Sequence, residues 1–224
     1  MFHPDGPTFS ELARQSLCST ERGYDLLAPK FDLTPFRTPE AILRRAGAYI
    51  RGHLALGRLL DLCCGTGAVL ETLDYEHAIG LDRSRGMLAV ARTRVASAAY
   101  VRADVLRPPF NGSFDLVTCF SALGHILPAD AEAFVCAVRT CLRPGGHFVF
   151  ATSRKPPLAS RAHWLCRGFN AFMHVRNFVW SPPFVMYYLT FLLPEATEHL
   201  ERAGFEVRVV DELDRFVLVD AVAP

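Results

Sequence analysis

Three aspartates stand at or near the ends of short apolar runs, and with a pair of glycines they are the groups in this sequence best suited to hold a ligand. Asp61 sits in the run Arg58-Leu59-Leu60-Asp61-Leu62, which leads into the turn "CCGTG"; Asp82 closes "HAIGLD", and Asp104 closes "AYVRAD". Without a Cβ, Gly65 and Gly67 let the backbone approach a bound molecule closely. A carboxylate at Asp82 can accept hydrogen bonds from both hydroxyls of a ribose, and one at Asp104 from the exocyclic amino group of adenine. The set points to a nucleoside. It does not point to a pyrophosphate, because the dinucleotide fingerprint needs a third glycine where this chain has Leu70, and the turn has no P-loop lysine.

Two cysteines, Cys63 and Cys64, stand against the same turn, and the chain also holds Cys18, Cys119, Cys136, Cys141 and Cys166. No pair has C-x-x-C spacing and the number is odd. No further ligands lie near Cys63 and Cys64 at metal-binding spacing, so no metal is expected and the thiols read as reduced packing residues. His125, in "ALGHI", has two readings: a general base that takes a proton from an acceptor, or a histidine that shapes the pocket.

These groups need a scaffold, and the sequence supplies one. The chain has 224 residues, enough for one domain with a sizeable core, and half of them are hydrophobic. Helices are expected over Leu12 to Ala28 and Pro39 to Leu56, separated by "FDLTPFRTP". Strands are expected at Arg58 to Leu62, His77 to Asp82, Ala99 to Asp104, Ser113 to Phe120 and His147 to Ser153. Helices alternate with them: Ala68 to Leu73, Ser84 (as N-cap) to Val95, and Asp130 to Leu142, the last ended by the turn Arg143-Pro144-Gly145-Gly146. Strands alternating with helices across short connections make a parallel α/β sheet covered on both faces. In such a sheet, ligands sit beyond the carboxyl ends of the strands, which is where the Asp61–Gly67 turn falls. A last helix, Pro194 to Ala203, precedes "FEVRVVDELDRFVLVDAV", which reads as a hairpin turning at Leu213-Asp214.

Lys155 to Leu193 breaks the alternation. It is rich in aromatics, including Trp164, Phe172, Trp180, Tyr187 and Tyr188, and contains His163 and His174. Pro182-Pro183 interrupts its longest apolar run, and the remaining "FVMYYLTFLL" is too short to cross a bilayer. Interfacial contact with a membrane stays open to it. The segment is expected to be a helical cap inserted before the last helix, with an apolar inner wall and a solvated basic rim. Net charge is +1, which gives no global reason to expect a nucleic-acid partner. The start "MFHPDG" lacks the basic and apolar regions of a secretion signal, so a cytoplasmic location is expected.

Taken in order, the motifs resemble the class I S-adenosylmethionine-dependent methyltransferases, in the branch with the ubiquinone/menaquinone-type and small-molecule enzymes. "LLDLCCGTG" is similar to their first motif, D-x-x-x-G-x-G, and "GLDRSRGML" to the second, G-x-D-x-S-x-x-M-L. "RADVLRPPFNGSFDLVTCFSALGHI" is similar to the third and fourth, "LRPGGHFVF" to the turn into the fifth strand, and "AGFEV" to the entry to the sixth. The resemblance covers about Leu59 to Val207 without the aromatic insert. It implies a Rossmann-like seven-stranded, mostly parallel sheet with an antiparallel last strand, in one domain over 1–224. Residues 1–57 would partly cover the cofactor and 155–193 would form the substrate cap.

The resemblance also implies roles. The cofactor would be S-adenosylmethionine, leaving as S-adenosylhomocysteine. Gly65, Thr66 and Gly67 would face its methionine part, with the small Cys63 fitting between strand and cofactor. Asp82, beside Arg83, would hold the ribose, and Asp104 with Val105 the adenine, on whose face Met87 would pack. Phe120 and Ser121 would line the pocket after the fourth strand. "YDLLAPKFD", with Tyr24 and Phe31, would close over the methionine end. Trp164, Phe172, His174, Trp180, Tyr187 and Tyr188 are the candidate residues of the cap.

The expected acceptor is a small, largely apolar or lipid-like molecule, methylated by in-line displacement. The motif "CFSAL" is not the N-P-P-Y type that serves exocyclic amines of bases and glutamine amides. A protein or RNA substrate, or a catalytically silent cofactor-binding partner protein, is the alternative reading. No signal for an oligomeric state is present.

Overall fold

The computed structural model describes residues 3–55, 57–73 and 75–224. Seven strands form one sheet in the order β3-β2-β1-β4-β5-β7-β6. They are β1 Arg58–Leu62, β2 His77–Asp82, β3 Ala99–Arg102, β4 Phe114–Cys119, β5 Leu142–Ser153, β6 Glu206–Leu213 and β7 Phe216–Val222. The first five pair in parallel, and β7 runs antiparallel between β5 and β6. Strand order reverses beside β1, between β2 and β4, which puts the ligand-binding end of the sheet at the Asp61–Gly67 turn.

Both faces of the sheet are covered, as its sequence of nearly continuous apolar strands requires. Leu60, Leu62, Val117, Phe148 and Phe150 pack on one side with α6 (Ala131–Cys141) and α8 (Glu195–Arg202). Leu59, Leu116 and Val149 pack on the other with α3 (Glu40–His53) and α4 (Ala68–Thr72). In β7, buried Asp220 accepts a 2.7 Å hydrogen bond from the Tyr49 hydroxyl and lies 3.0 Å from His147 Nδ1 of β5, tying α3 to the sheet.

Several boundaries differ from expectation for local reasons. The helix expected over Leu12 to Ala28 is two, α1 (Phe9–Ser16) and α2 (Thr20–Leu27), because the Ser19 hydroxyl accepts from Arg22 N and starts a new helix. A 3₁₀ turn, Ala28–Leu33, follows. The helix expected from Pro39 ends at His53, and its expected terminus at Leu56 lies outside the described residues. The third strand stops at Arg102, so Asp104 lies two residues beyond it.

Arg143-Pro144-Gly145-Gly146, expected as a free turn, is part of β5. Pairing jumps from Phe114↔Leu142 to Leu116↔His147, so these residues bulge out, with Gly145 at φ 72° and Gly146 tied to Ala223. Helix α5 (Arg85–Arg94) starts at Ser84, whose hydroxyl accepts from Met87 N.

The insert is pinched at its base, where Lys155 N donates to Leu193 O and Leu193 N to Ser153 O. Between these points lies a single helix, α7 (Arg161–Val179), then an irregular return. Met173, Phe184 and Tyr187 form a small buried cluster of their own, against Tyr24, Leu127 and Phe169.

Candidate active site

Strand β1 brings Asp61 opposite Gly80 of β2 and Thr118 of β4. Asp61 is buried; its Oδ1 accepts a 2.7 Å hydrogen bond from the Thr118 hydroxyl, and its Oδ2 has no partner. Burial pushes this carboxyl up to about 7, against the Thr118 hydrogen bond, and the nearby Asp82 charge adds to the rise.

Beyond Asp61 the chain turns sharply. Cys63 takes φ 54° and Gly65 φ 53°. For Cys63 that left-handed backbone stores strain of about 1–3 kcal/mol, and Ser121, past the end of neighbouring β4, is held the same way at φ 55°. Gly65 lies open: nothing stands within 4 Å of where its Cβ would be. The turn is therefore a cradle that a side chain would obstruct.

Asp82 faces this cradle from the end of β2. Its Oδ2 accepts from Gly65 N at 2.9 Å and its Oδ1 from Ser84 N at 2.8 Å. Those two bonds fix the carboxylate and leave it lone pairs for further donors. Burial holds its pKa above the usual range, against the N–H groups of Ser84, Gly65 and Arg83. Asp104 lies farther along the same edge, half-exposed, with Oδ1 bound to Leu106 N and Oδ2 3.5 Å from Arg83. Val105 and Met87 are buried beside it in sequence and in the first turn of α5.

Among the described residues no group of three or more His, Cys, Asp or Glu side chains is arranged so that it could hold a metal ion. Burial pushes the Cys64 thiol well up, and contact with Cys119 together with burial does so for Cys63, so both stay protonated. Cys64 fills the space above Gly80, where a Cβ would come within 2.8 Å of its sulfur.

The N-terminal segment closes over the cradle through contacts that sequence reasoning missed. Asp25 Oδ1 accepts from the Ser84 hydroxyl at 2.6 Å and from Gly86 N at 2.8 Å, which ties α2 to the start of α5. Asp32 accepts from the Thr66 hydroxyl at 2.8 Å and pairs with Arg94, which also donates to Thr66 O. Thr66 is thus a clamp between the turn and this segment. Both carboxylates lie within "YDLLAPKFD", and their partners are 34 to 62 residues away in the chain. Phe31 packs edge-on to Tyr24 at 6.0 Å.

Tyr24 reaches furthest in. Its hydroxyl is 2.8 Å from His125 Nε2, and His125 Nδ1 contacts the carbonyl of Val185 in the return of the insert. A carbonyl only accepts, so Nδ1 carries the proton. Burial holds the His125 pKa down, so the ring is neutral and Nε2 accepts from the Tyr24 hydroxyl. Burial in turn keeps the Tyr24 phenol protonated. His125 thereby joins three segments: α2, the loop after β4, and the insert. The same loop is laced to the insert by Tyr187 N donating to Gly124 O at 2.8 Å. Phe120 is buried nearby, while Ser121 is exposed and accepts from the Thr38 hydroxyl at 2.8 Å.

Of the six residues expected to form the cap, only Tyr187 is buried. Trp164, Phe172, His174, Trp180 and Tyr188 are exposed, with the His174 ring against Tyr187 and the Tyr188 ring against Phe169. The inward face is built instead from Phe169, Met173, Phe184 and Tyr187.

Residues 59–146 match the family model of the methyltransferase domain. A demethylmenaquinone methyltransferase of Beutenbergia cavernae is 34% identical over 142 residues, 61% of this chain and 58% of that protein. A ubiquinone biosynthesis O-methyltransferase of Aromatoleum aromaticum is 32% identical over 152 residues, 64% of this chain and 59% of that protein. The chain therefore spans somewhat over half the length of these relatives. Among solved structures, the DhpI-SAH complex is similar in fold, with a TM-score of 0.67 at 21% identity, covering 97% of this chain and all of that one. The YcgJ protein from Bacillus subtilis is similar over 80% of this chain and 97% of its own, with a TM-score of 0.62 at 16% identity. Matching segment, strand order and glycine turn agree: residues 59–146 are similar to the methyltransferase domain, and the sheet has the Rossmann-like fold of these solved structures.

Proposed function

We propose that this protein transfers the methyl group of S-adenosylmethionine to a small, largely apolar acceptor. The observation that carries the reading is the open glycine cradle at Gly65, faced by Asp82 and floored by the unpartnered Oδ2 of Asp61. The residues present fit the cofactor: its ribose would find the remaining lone pairs of Asp82, and its sulfonium and α-ammonium groups would sit near buried carboxyl groups. Asp104, with Val105 and Met87, would take the adenine side. When bound, the cofactor supplies an electrophilic methyl group, and in-line displacement by the acceptor is the expected course.

The chain's own contribution is alignment and exclusion of water. In this reading Tyr24 and Phe31 of the N-terminal segment, with the buried Met173, Phe184 and Tyr187 cluster that packs on Tyr24, form an apolar and aromatic wall on the acceptor side. Such a wall suits a hydrophobic acceptor, and the similar proteins named for menaquinone and ubiquinone biosynthesis support that class. His125 acts as a positioning residue: with its Nε2 already accepting from Tyr24, it holds the phenol in place over the site. A proton from the acceptor can reach it only through the Tyr24 oxygen.

The test is a methyl-transfer assay with S-adenosylmethionine and a panel of apolar phenols and quinols, reading mass gain in the acceptor. The wild type should methylate members of the panel. Tyr24→Phe should lower kcat about tenfold or more, the equivalent of one lost hydrogen bond in a buried site, with S-adenosylhomocysteine affinity changed far less. Cofactor binding without turnover on any acceptor would favour the silent partner-protein reading.

A further inference from the structure

Helix α7 has one covered face and one bare face, and the bare one is the more apolar. The inward stripe of His163, Cys166, Asn170, Met173 and Asn177 recurs at the three- and four-residue spacing of one helix face. It is anchored at its end by Arg176, buried although no carboxylate pairs with it among the described residues. Arg176 donates instead to the carbonyls of Ser16, Cys18, Trp180 and Pro182. The opposite face carries Trp164, Leu165, Phe172, Val175, Phe178 and Val179. All are exposed, Leu165 to 74% and Phe178 to 92%. An ordinary surface helix turns charge outward; this one turns aromatics and aliphatics outward.

The charge around this face is one-sided. From residue 155 to 194 the sequence contains no aspartate or glutamate, while Arg161 and Arg167 project on the exposed side. Neither pairs with a carboxylate among the described residues, and the Arg167 guanidinium lies over the Trp164 ring at 5.9 Å. Interleaved Trp, Phe and Arg on one side of a 19-residue helix is the composition that settles at the boundary between acyl chains and headgroups. No helix among the described residues is long and apolar enough to cross a membrane, so the mode is surface docking.

We propose that the outer face of α7 is a docking surface for an anionic lipid bilayer, with α7 lying in the interface plane. Charge complementarity selects this occupant. A second copy packed face to face would set Arg161 and Arg167 against the same arginines, with no carboxylate in the segment to meet them. A bilayer supplies both needs at once: acyl chains for the aromatics and phosphates for the guanidinium groups. The inference rests on the exposed face alone and does not depend on the reaction.

The experiment uses the full chain and its own fluorescence, since the chain's two tryptophans, Trp164 and Trp180, both flank this face. Vesicles of phosphatidylcholine mixed with phosphatidylglycerol should blue-shift the emission and sediment the protein. Acyl-brominated lipid should quench it, and pure phosphatidylcholine should do each of these much less. Arg161→Glu with Arg167→Glu, and separately Phe172→Ser with Phe178→Ser, should each weaken binding about tenfold or more. All four positions are exposed, and circular dichroism checks that the variants keep the wild-type fold. The proposal is overturned if anionic vesicles neither shift nor sediment the wild type, or if both double variants, still folded, bind as it does. An emission shift that follows protein concentration and ignores vesicles also overturns it, and assigns the face to a second copy.

Discussion

Substituting Asp61 by asparagine isolates the energetics of the buried carboxyl beneath the glycine turn. In the folded protein Asp61 is 1% exposed and its carboxyl is pushed from 3.8 up to about 7 by burial. The unfolded chain loses that proton near its ordinary value. Between about pH 4 and about pH 7 the folded state thus binds one proton more than the unfolded state, and stability falls as pH rises. The contribution is fully present below the unfolded pKa and is gone above the folded one. At 1.36 kcal/mol per unit, the whole window amounts to roughly 4 kcal/mol, an upper bound because water entry would relax it.

Asp61→Asn cannot titrate and keeps an oxygen for the Thr118 hydroxyl. Urea unfolding followed by circular dichroism, run on both proteins across about pH 4 to pH 8, should show the variant gaining on the wild type as pH rises. Taking the difference cancels titrations the two share. A difference that stays level over the window would falsify the raised pKa and with it the electrostatic picture of the floor of the site.

Two further substitutions test the packing that frames the site. Arg176→Leu should strip four backbone carbonyls of their donor and cost about 2 kcal/mol or more, read as a lower unfolding midpoint and faster protease cleavage within 155–193; unchanged cleavage would mean that Arg176 does not anchor the insert. Gly80→Ala places a methyl 2.8 Å from Cys64 Sγ and 2.9 Å from the Tyr100 ring, and should cost about 1–3 kcal/mol, whereas thermal unfolding at the wild-type temperature would show that this contact yields freely.

The sheet was legible because each of its inner strands declares itself twice. Leu59-Leu60-Asp61-Leu62 is apolar on both faces and stops at glycines, and "HAIGLD" and "SFDLVTCF" behave alike. Asp82 was legible for the same reason, since a polar group that ends such a run must stand at the sheet's carboxyl edge. The clamps were not. Asp25 on Ser84 and Gly86, Asp32 on Thr66 and Arg94, and Asp61 on Thr118 each join segments that meet only in the folded chain. Their local sequence shows an acid without a visible partner. Arg176 illustrates the limit further: its partners are backbone carbonyls, which no residue pattern announces. In the insert, composition showed many aromatics but could not say which way they point. The three- and four-residue stripe through Met173 would have been the available signal, blurred because the outward face of α7 is more apolar than the inward one.

The central claim is that the glycine turn and Asp82 hold the nucleoside of S-adenosylmethionine. Calorimetric titration of the wild type and Asp82→Ala with S-adenosylhomocysteine tests it directly. The wild type should bind it and not NAD. The variant loses charge-assisted hydrogen bonds of about 1.5–3 kcal/mol, so its Kd should rise roughly 10- to 150-fold. Equal affinity in the two proteins, or a wild type that binds NAD and not S-adenosylhomocysteine, would contradict the account.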